Sequence, residues 1–278
     1  MNVLTFSGIV FLISVLAGFL GSLTGLGGGV VVTPVLTLLL GVDMHYAMGA
    51  SLVSVIATSS GAAAAYVKEG FSNVRAGMLL EIATTAGAVA GAHLTSVVPV
   101  PALAMVFGAV LLYSAGHSMV ELPERGASPG DPLAERLKLG GTYPGPTGWV
   151  TYSVARVKVG FSLMVGAGLI SGLLGIGSGA MKVVAMDQVM RIPFKVSTAT
   201  SNFMIGVTAA ASAGVYLRRG YIHPGLAMPV MLGVLAGSLM GARLLNRART
   251  HLLRRVFAVV IGVMALEMVY NGITGGMK

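Results

Sequence analysis

The sequence predicts an all-α polytopic membrane protein made of two inverted repeats of about five transmembrane or re-entrant helices each, with glycine-rich breaks. Three observations predict this. First, the 278 residues are 55% hydrophobic and only 10% charged, with a mean hydropathy of +0.86. A soluble domain carries roughly 25% charged residues, so these charges are too few to coat a soluble surface. Second, apolar runs of helical length recur along the chain. Third, the second half repeats the first at a constant shift. The same composition excludes other classes. Disordered chains are polar. With no cysteine there is no disulfide framework, thiolate metal site or redox motif. The net charge of +9 fits loops facing anionic lipid rather than a nucleic-acid surface.

The elements follow in order. Met1-Asn2-Val3 carries no basic residue and another apolar segment follows closely, so Leu4–Leu23 reads as a retained membrane element and not a signal peptide. Thr24-Gly25-Leu26-Gly27-Gly28-Gly29 is a turn. Val30–Leu40 is a short arm, and Tyr46–Val67, Gly77–Val98 and Ala102–Met119 are full spans. Residues 1–119 form the first repeat, and 120–156 is a polar, proline-containing cytoplasmic linker with a short amphipathic helix at Leu133–Leu139. Residues 157–278 form the second repeat: Val159–Leu174, the turn Gly175-Ile176-Gly177-Ser178-Gly179, the arm Ala180–Met190, then Val196–Leu217, Leu226–Leu245 and Leu252–Tyr270. About 20 residues cross a bilayer, so the two arms are half-spans.

The repeat holds one register, a shift of 150 residues without a gap. Gly25, Gly27 and Gly29 match Gly175, Gly177 and Gly179; Ser51 matches Ser201, Thr58 matches Thr208, and Gly91-Ala92 matches Gly241-Ala242. If the five elements of each half reverse direction in turn, the halves are inverted. One side then collects fourteen of the eighteen Lys and Arg, from Lys68 to Arg255; the other holds Arg218, Arg219 and Lys278, and Lys182 lies within an arm. Parallel halves would split the loop charges seven against ten. The positive-inside rule selects the inverted arrangement at the plasma membrane, with both termini outside and the 120–156 loop in the cytoplasm.

Irregular backbone at membrane depth is tolerated where it is buried in protein or lines a cavity, and inverted repeats with broken helices hold substrate at the repeat interface. Each glycine turn opens a helical arm, whose free N–H groups favour an anion. The candidate substrate-binding residues are therefore Gly25, Gly27, Gly28 and Gly29 in the first turn, and Gly175, Gly177, Ser178 and Gly179 in the second. Lys182 joins them because a lysine in an apolar arm needs a reason: it holds an anion, snorkels, or pairs with Asp187 or Glu81. Ser51, Ser201 and Asn202 offer donors from the third element of each half, although Ser and Thr also bond to their own helix backbone. Glu81 is a candidate proton-coupling residue, or an interfacial partner of Lys68 or Arg75. For Gly18 and Gly91 close helix packing suffices. No metal cluster, nucleophile elbow or phosphate loop occurs in the sequence, so no cofactor and no enzymatic activity are expected. The small-residue run Ala86–Ala92 suits packing within a protomer or in a homodimer.

The run Gly21-Ser22-Leu23-Thr24-Gly25-Leu26-Gly27-Gly28-Gly29 with Val32-Thr33-Pro34, then Gly49-Ala50-Ser51-Leu52, and the second copy Gly172 to Gly179 resemble the TauE/SafE family of sulfite and organosulfonate exporter-like permeases. The resemblance covers nearly the whole chain except the linker. It implies secondary transport of small sulfur-containing anions such as sulfite or sulfoacetate, by export. Carboxylate transport, and an anion channel, remain alternatives. The second copy departs from the first at Ser178, where a glycine stands in copy one, and at Val184, which replaces Pro34.

Overall fold

The computed structural model describes residues 3–24, 28–68, 70–119, 130–145, 148–245 and 250–275. Gly25 and Gly27 of the first turn lie outside the described residues, as does the linker from 120 to 129. The first half comprises α1 (Val3–Thr24), α2 (Gly29–Pro34) continuing into a π-helical turn at Val35–Leu39, α3 (Met44–Lys68), α4 (Val74–Leu94) and α5 (Val100–Met119). The linker holds α6 (Pro132–Arg136) and a hairpin of β1 (Gly141–Gly145) and β2 (Gly148–Tyr152). The second half comprises α7 (Val157–Leu174), α8 (Gly179–Val184) with a π-helical turn at Ala185–Val189, α9 (Phe194–Arg218), α10 (Pro224–Leu245) and α11 (Thr250–Thr274). The element order therefore recurs at the shift of 150, π-turns included. In each arm one carbonyl reaches past the usual spacing: Leu36 O accepts from Val42 N–H at 3.0 Å and Met186 O from Ile192 N–H at 2.9 Å. Since Val184 precedes the second π-turn where Pro34 precedes the first, proline is not what causes it. Gly41 and its equivalent Arg191 both take left-handed backbone to end the arms.

The outer surface is apolar. On α11, Val259, Val263, Leu266, Tyr270 and Ile273 recur at helical spacing, and each is 60% or more exposed. A soluble surface does not present such a stripe without a partner, whereas hydrocarbon does not penalise it. Among the described residues α4 and α7 are long and apolar enough to cross a bilayer, and shorter apolar stretches lie in α1, α5, α10 and α11. The interior combines a hydrophobic core with buried polar side chains. Ser197, Ser201, Thr208, Ser212 and Tyr216 form a buried stripe along α9.

The halves exchange helices. The main contacts pair α1 with α10, α4 with α7, α5 with α11 and α3 with α9. Because α10 is the counterpart of α4 and α7 that of α1, the α1–α10 and α4–α7 pairings are equivalent under exchange of the halves. Glycine permits the approach. A Cβ on Gly168 or Gly172 would fall on the Thr84 or Ala88 carbonyl, and one on Gly87 or Gly91 on the Val165 or Leu169 carbonyl. Gly18 meets the Val234 carbonyl in the same way. The small residues Gly87, Ala88 and Gly91 are thus used within the protomer. Contacts along α4 and α7 advance together, Thr84 with Gly168 and Ala88 with Gly172, so these helices run in the same direction. Along α5 and α11 they oppose, Gly108 meeting Ala265 and Val269 while Gly272 meets Pro101 and Met105.

The linker is more ordered than its sequence suggests. The short helix is present, but a hairpin follows that was expected as loop. Trp149, Val150, Thr151 and Tyr152 in β2 are strand-favouring residues paired in register with Pro144, Tyr143, Thr142 and Gly141. Asp131 accepts from Leu133 N–H at 2.9 Å and from Val157 N–H at 3.0 Å, capping α6 and tying it to α7. Asn73 caps α4 through Ala76 N–H, and its amide donates to the Leu139 carbonyl and the Tyr152 hydroxyl, both at 2.7 Å. Its backbone N–H donates to Thr200 on α9. Leu139, Tyr143 and Tyr152 are buried against Leu80, Met186 and Ile192.

Replacing Gly172 with Val is expected to lower stability in detergent by about 2 kcal/mol or more, since backbone must move to admit the side chain. Gly166→Ala, where a Cβ meets nothing, should be neutral or slightly stabilising; thermal unfolding of both variants checks this. The two backbone N–H bonds hold the Asp131 carboxyl below its ordinary range. A depressed carboxyl stabilises above its unfolded-state pKa and loses that contribution as pH falls through the folded-state value. Limited proteolysis of the linker should therefore accelerate as pH drops below about 4, and Asp131→Ala should show the faster cleavage already at neutral pH.

Candidate functional site

The two turns converge on one side chain. Gly29 packs against one methyl of Val55 on α3, and Gly177 packs against the other and against Ile205 on α9. Val55 and Ile205 are equivalent positions, so the turns meet at the contact of α3 with α9. Ser51 donates to the Gly29 carbonyl at 3.0 Å and Ser201 to the Gly179 carbonyl at 3.2 Å. These matched hydroxyls tether each arm to its helix, and their protons are committed to that contact. The end of α7 is held from α9: the Tyr216 hydroxyl lies 3.0 Å from the Gly172 carbonyl and 3.2 Å from that of Leu173, which also accepts from Thr95 at 3.1 Å. Carbonyls left open by the helix end are satisfied in this way.

The second turn carries left-handed backbone, and at Ser178 strain that its counterpart Gly28 does not share. Gly175 and Gly177 take left-handed backbone with φ of +67° and +76°, and Ser178 joins them at +46°. The equivalent Gly28 is right-handed, with φ of −64°. A non-glycine residue in the left-handed region costs about 1 kcal/mol. The Ser178 hydroxyl is also buried and without a hydrogen bond among the described residues, a further cost. Asn202, 7% exposed, likewise makes no side-chain hydrogen bond among the described residues.

Lys182 lies one turn beyond Ser178, whose carbonyl accepts its backbone N–H at 3.1 Å. Its side chain is fully enclosed. The ammonium donates to the Thr208 hydroxyl, which donates to Glu81 Oε1 at 2.6 Å, while Lys182 Nζ and Glu81 Oε2 stand 3.7 Å apart. Thr84 donates to Glu81 Oε2 and Thr85 to Oε1, both at 3.0 Å. Thr208 is near the middle of α9, about 20 Å from its start at 1.5 Å per residue, so the cluster sits at mid-helix depth. Glu81 is paired here with Lys182 and not with Arg75 at the helix start. Its buried carboxylate needs an opposite charge, and among the described residues Lys182 supplies it. Sequence reasoning missed Thr84, Thr85 and the relay role of Thr208. The available signal was Glu81 followed at i+3 and i+4 by two hydroxyls on one helix face.

The charges occupy only one of the two places that the repeat relates. At the positions equivalent to Lys182, Glu81, Thr208 and Thr84 stand Val32, Met231, Thr58 and Val234, and Val32 and Val234 are buried. An internally duplicated helical membrane protein with an apolar exterior, paired glycine turns and a buried charge pair is the architecture of a membrane transporter. The chain belongs to the TauE/SafE sulfite exporter family, whose profile matches residues 10–268. It is similar to the probable membrane transporter YunE of Bacillus subtilis, 26% identical over 95% of this chain and 98% of that protein. A probable membrane transporter of Xylella fastidiosa strain 9a5c is 27% identical over 92% of each. No solved structure matches the chain.

Removing one partner of a buried pair costs roughly 3–5 kcal/mol, whereas replacing both is often neutral. Glu81→Gln leaves an ammonium unpaired and is expected to lower stability by about 3 kcal/mol. Lys182→Met leaves the Glu81 carboxyl without its counter-ion and should cost a similar amount. The double variant should be more stable than Glu81→Gln alone, as read from a thermal double-mutant cycle.

Proposed function

We propose that this protein is a secondary transporter of small sulfur-containing anions, sulfite or organosulfonates such as sulfoacetate, exporting them across the plasma membrane by alternating access. The observation that carries the reading is the fully enclosed Lys182 ammonium, one helical turn from the strained Ser178 with its unpartnered hydroxyl. Three sulfonate oxygens accept hydrogen bonds, and this corner supplies a cation and a hydroxyl donor. The binding residues are those of the two turns, Gly28 and Gly29 with Gly175, Gly177, Ser178 and Gly179, together with Lys182 and Asn202. Ser51 and Ser201 set the position of the arms. Family membership supports transport as such, and the family's description supports the sulfur anion.

The halves are inverted in this reading. The opposed register of the equivalent helices α5 and α11 supports it, as does the collection of basic residues on one side. Both termini then lie outside and the 120–156 linker lies in the cytoplasm. Rocking one half against the other about the α3 and α9 contact would open the turns to either side.

The test is thermal stability of the purified protein against sulfite, sulfoacetate, taurine, sulfate, acetate and succinate. A ligand that binds only the folded state raises the melting temperature by mass action, about 2.7 kcal/mol at a hundred times Kd. The expected result is a shift with sulfite or a sulfonate that is lost in Lys182→Ala and reduced in Ser178→Gly, each measured against its own unliganded baseline. A shift confined to acetate or succinate overturns the sulfur-anion reading in favour of carboxylates.

A further inference from the structure

We infer that the Lys182–Thr208–Glu81 cluster couples one proton to each monoanion bound, so that substrate and proton move together and the bound site stays neutral. This rests on the transport reading above. The inference starts from the asymmetry of the halves. The positions equivalent to Lys182, Thr208, Glu81 and Thr84 are Val32, Thr58, Met231 and Val234. None of these is charged, and Val32 and Val234 are buried. The symmetry-related place is thus built without charge, so packing alone does not account for the Lys182–Glu81 pair.

In the structure the ammonium and the carboxylate cancel each other at 3.7 Å with both side chains enclosed. A monoanion that takes the ammonium as its counter-ion leaves Glu81 as a second anion in a low-dielectric interior. Such a charge neutralises by protonation. The hydroxyls allow this without orphaning a group. Glu81 takes a proton from water and, as an acid, donates it to Thr208 Oγ1. Thr208 then turns its own proton to the Met204 carbonyl, already 3.0 Å away. Thr84 has the Leu80 and Glu81 carbonyls within 3.3 Å as alternative acceptors. Lys182 keeps its charge and transfers its donor to the anion, and release of the anion returns the proton to water. Counting charges, the empty site is zero and the site with anion and proton is zero.

Other charged groups on the packed elements stand apart from this exchange. On α4 these are Arg75 at the start and His93 near the end; on α7 it is Lys158 at the start; on α9 they are Lys195 and Arg218 at opposite ends. All five are exposed. Asp187 in the π-turn after α8 is half-buried and makes its own interactions. Glu81 is the carboxyl that forms the ion pair with Lys182.

Isethionate is the probe, because a sulfonate without a second ionisable group can contribute no proton itself. Binding to the purified full chain is measured from pH 6 to 8 by calorimetry, together with proton uptake from a weakly buffered solution. The expected result for the wild type is about one proton taken up per anion bound and a Kd that tightens about tenfold per pH unit lowered. In Glu81→Gln the Kd should be flat with pH and no protons should be taken up. Binding by the wild type without proton uptake and without a pH slope overturns the inference, and this result needs no variant to fold. If isethionate does not bind but acetate does, the sulfonate reading falls, and the same slope measured with acetate decides the coupling. If neither anion binds, both readings fall.

Discussion

A hydrocarbon surround offers buried polar groups no water, so each must find its partner inside the protein. That constraint organises this molecule. Apolar side chains both face outward, as on α11, and fill the core, while hydroxyls collect inward along α9, facing Glu81 of α4 and Lys182 of α8. Ser201 ties down an arm, Tyr216 closes the end of α7, and Thr208 stands between a lysine and a glutamate. The bond of Thr208 to Glu81 crosses between the halves, as do those of Asn73 to Thr200 and of Thr95 to the Leu173 carbonyl, so polar contacts also register one half against the other. The glycine contacts set how closely the helices approach, and the hydroxyls set where along their length they stop.

Among the described residues the hydroxyls of Thr33, Ser72, Ser171, Ser178 and Thr198 are buried without a partner, and of these Ser178 alone has a left-handed backbone. Ser178 combines a left-handed backbone with a buried hydroxyl that has no partner among the described residues, at a position where the other half has an unstrained glycine. Strain and an orphaned donor at one residue, one turn from an enclosed lysine, concentrate unfavourable terms where the two turns approach Val55. A fold optimised for stability alone would place glycine there and valine at 182, as the first half does at 28 and 32.

The repeat made most of the architecture legible. The shift of 150 residues located both glycine turns, both half-spans and the equivalence of Ser51 with Ser201, and the helix bounds agree to within a few residues. What escaped was decided by geometry that one-dimensional patterns do not carry. The π-turns depend on which carbonyl a backbone N–H reaches, and neither Pro34 nor Val184 signals it. The hairpin lies in a polar linker where short strand-favouring runs around Pro144 read as loop. Glu81 and Lys182 are a hundred residues apart and occupy non-equivalent positions of the two halves, so the repeat itself concealed their pairing. Ser51 and Ser201 were recognised as a matched pair of donors, but their acceptors, the first carbonyls of the arms, became visible only in three dimensions.

The exchange of helices between the halves bears on how the protein is made. A ribosome delivers residues 1–119 before any of α7 or α10 exists, so the glycine faces of α1 and α4 first meet lipid and not the helices that will cover them. The face of α4 waits through the linker for α7, and that of α1 waits longer, until α10 is made. A chain stalled or truncated in that interval would present open small-residue grooves to its neighbours in the membrane. The glycines that make the finished transporter compact are thus also what expose its unfinished form to mispairing.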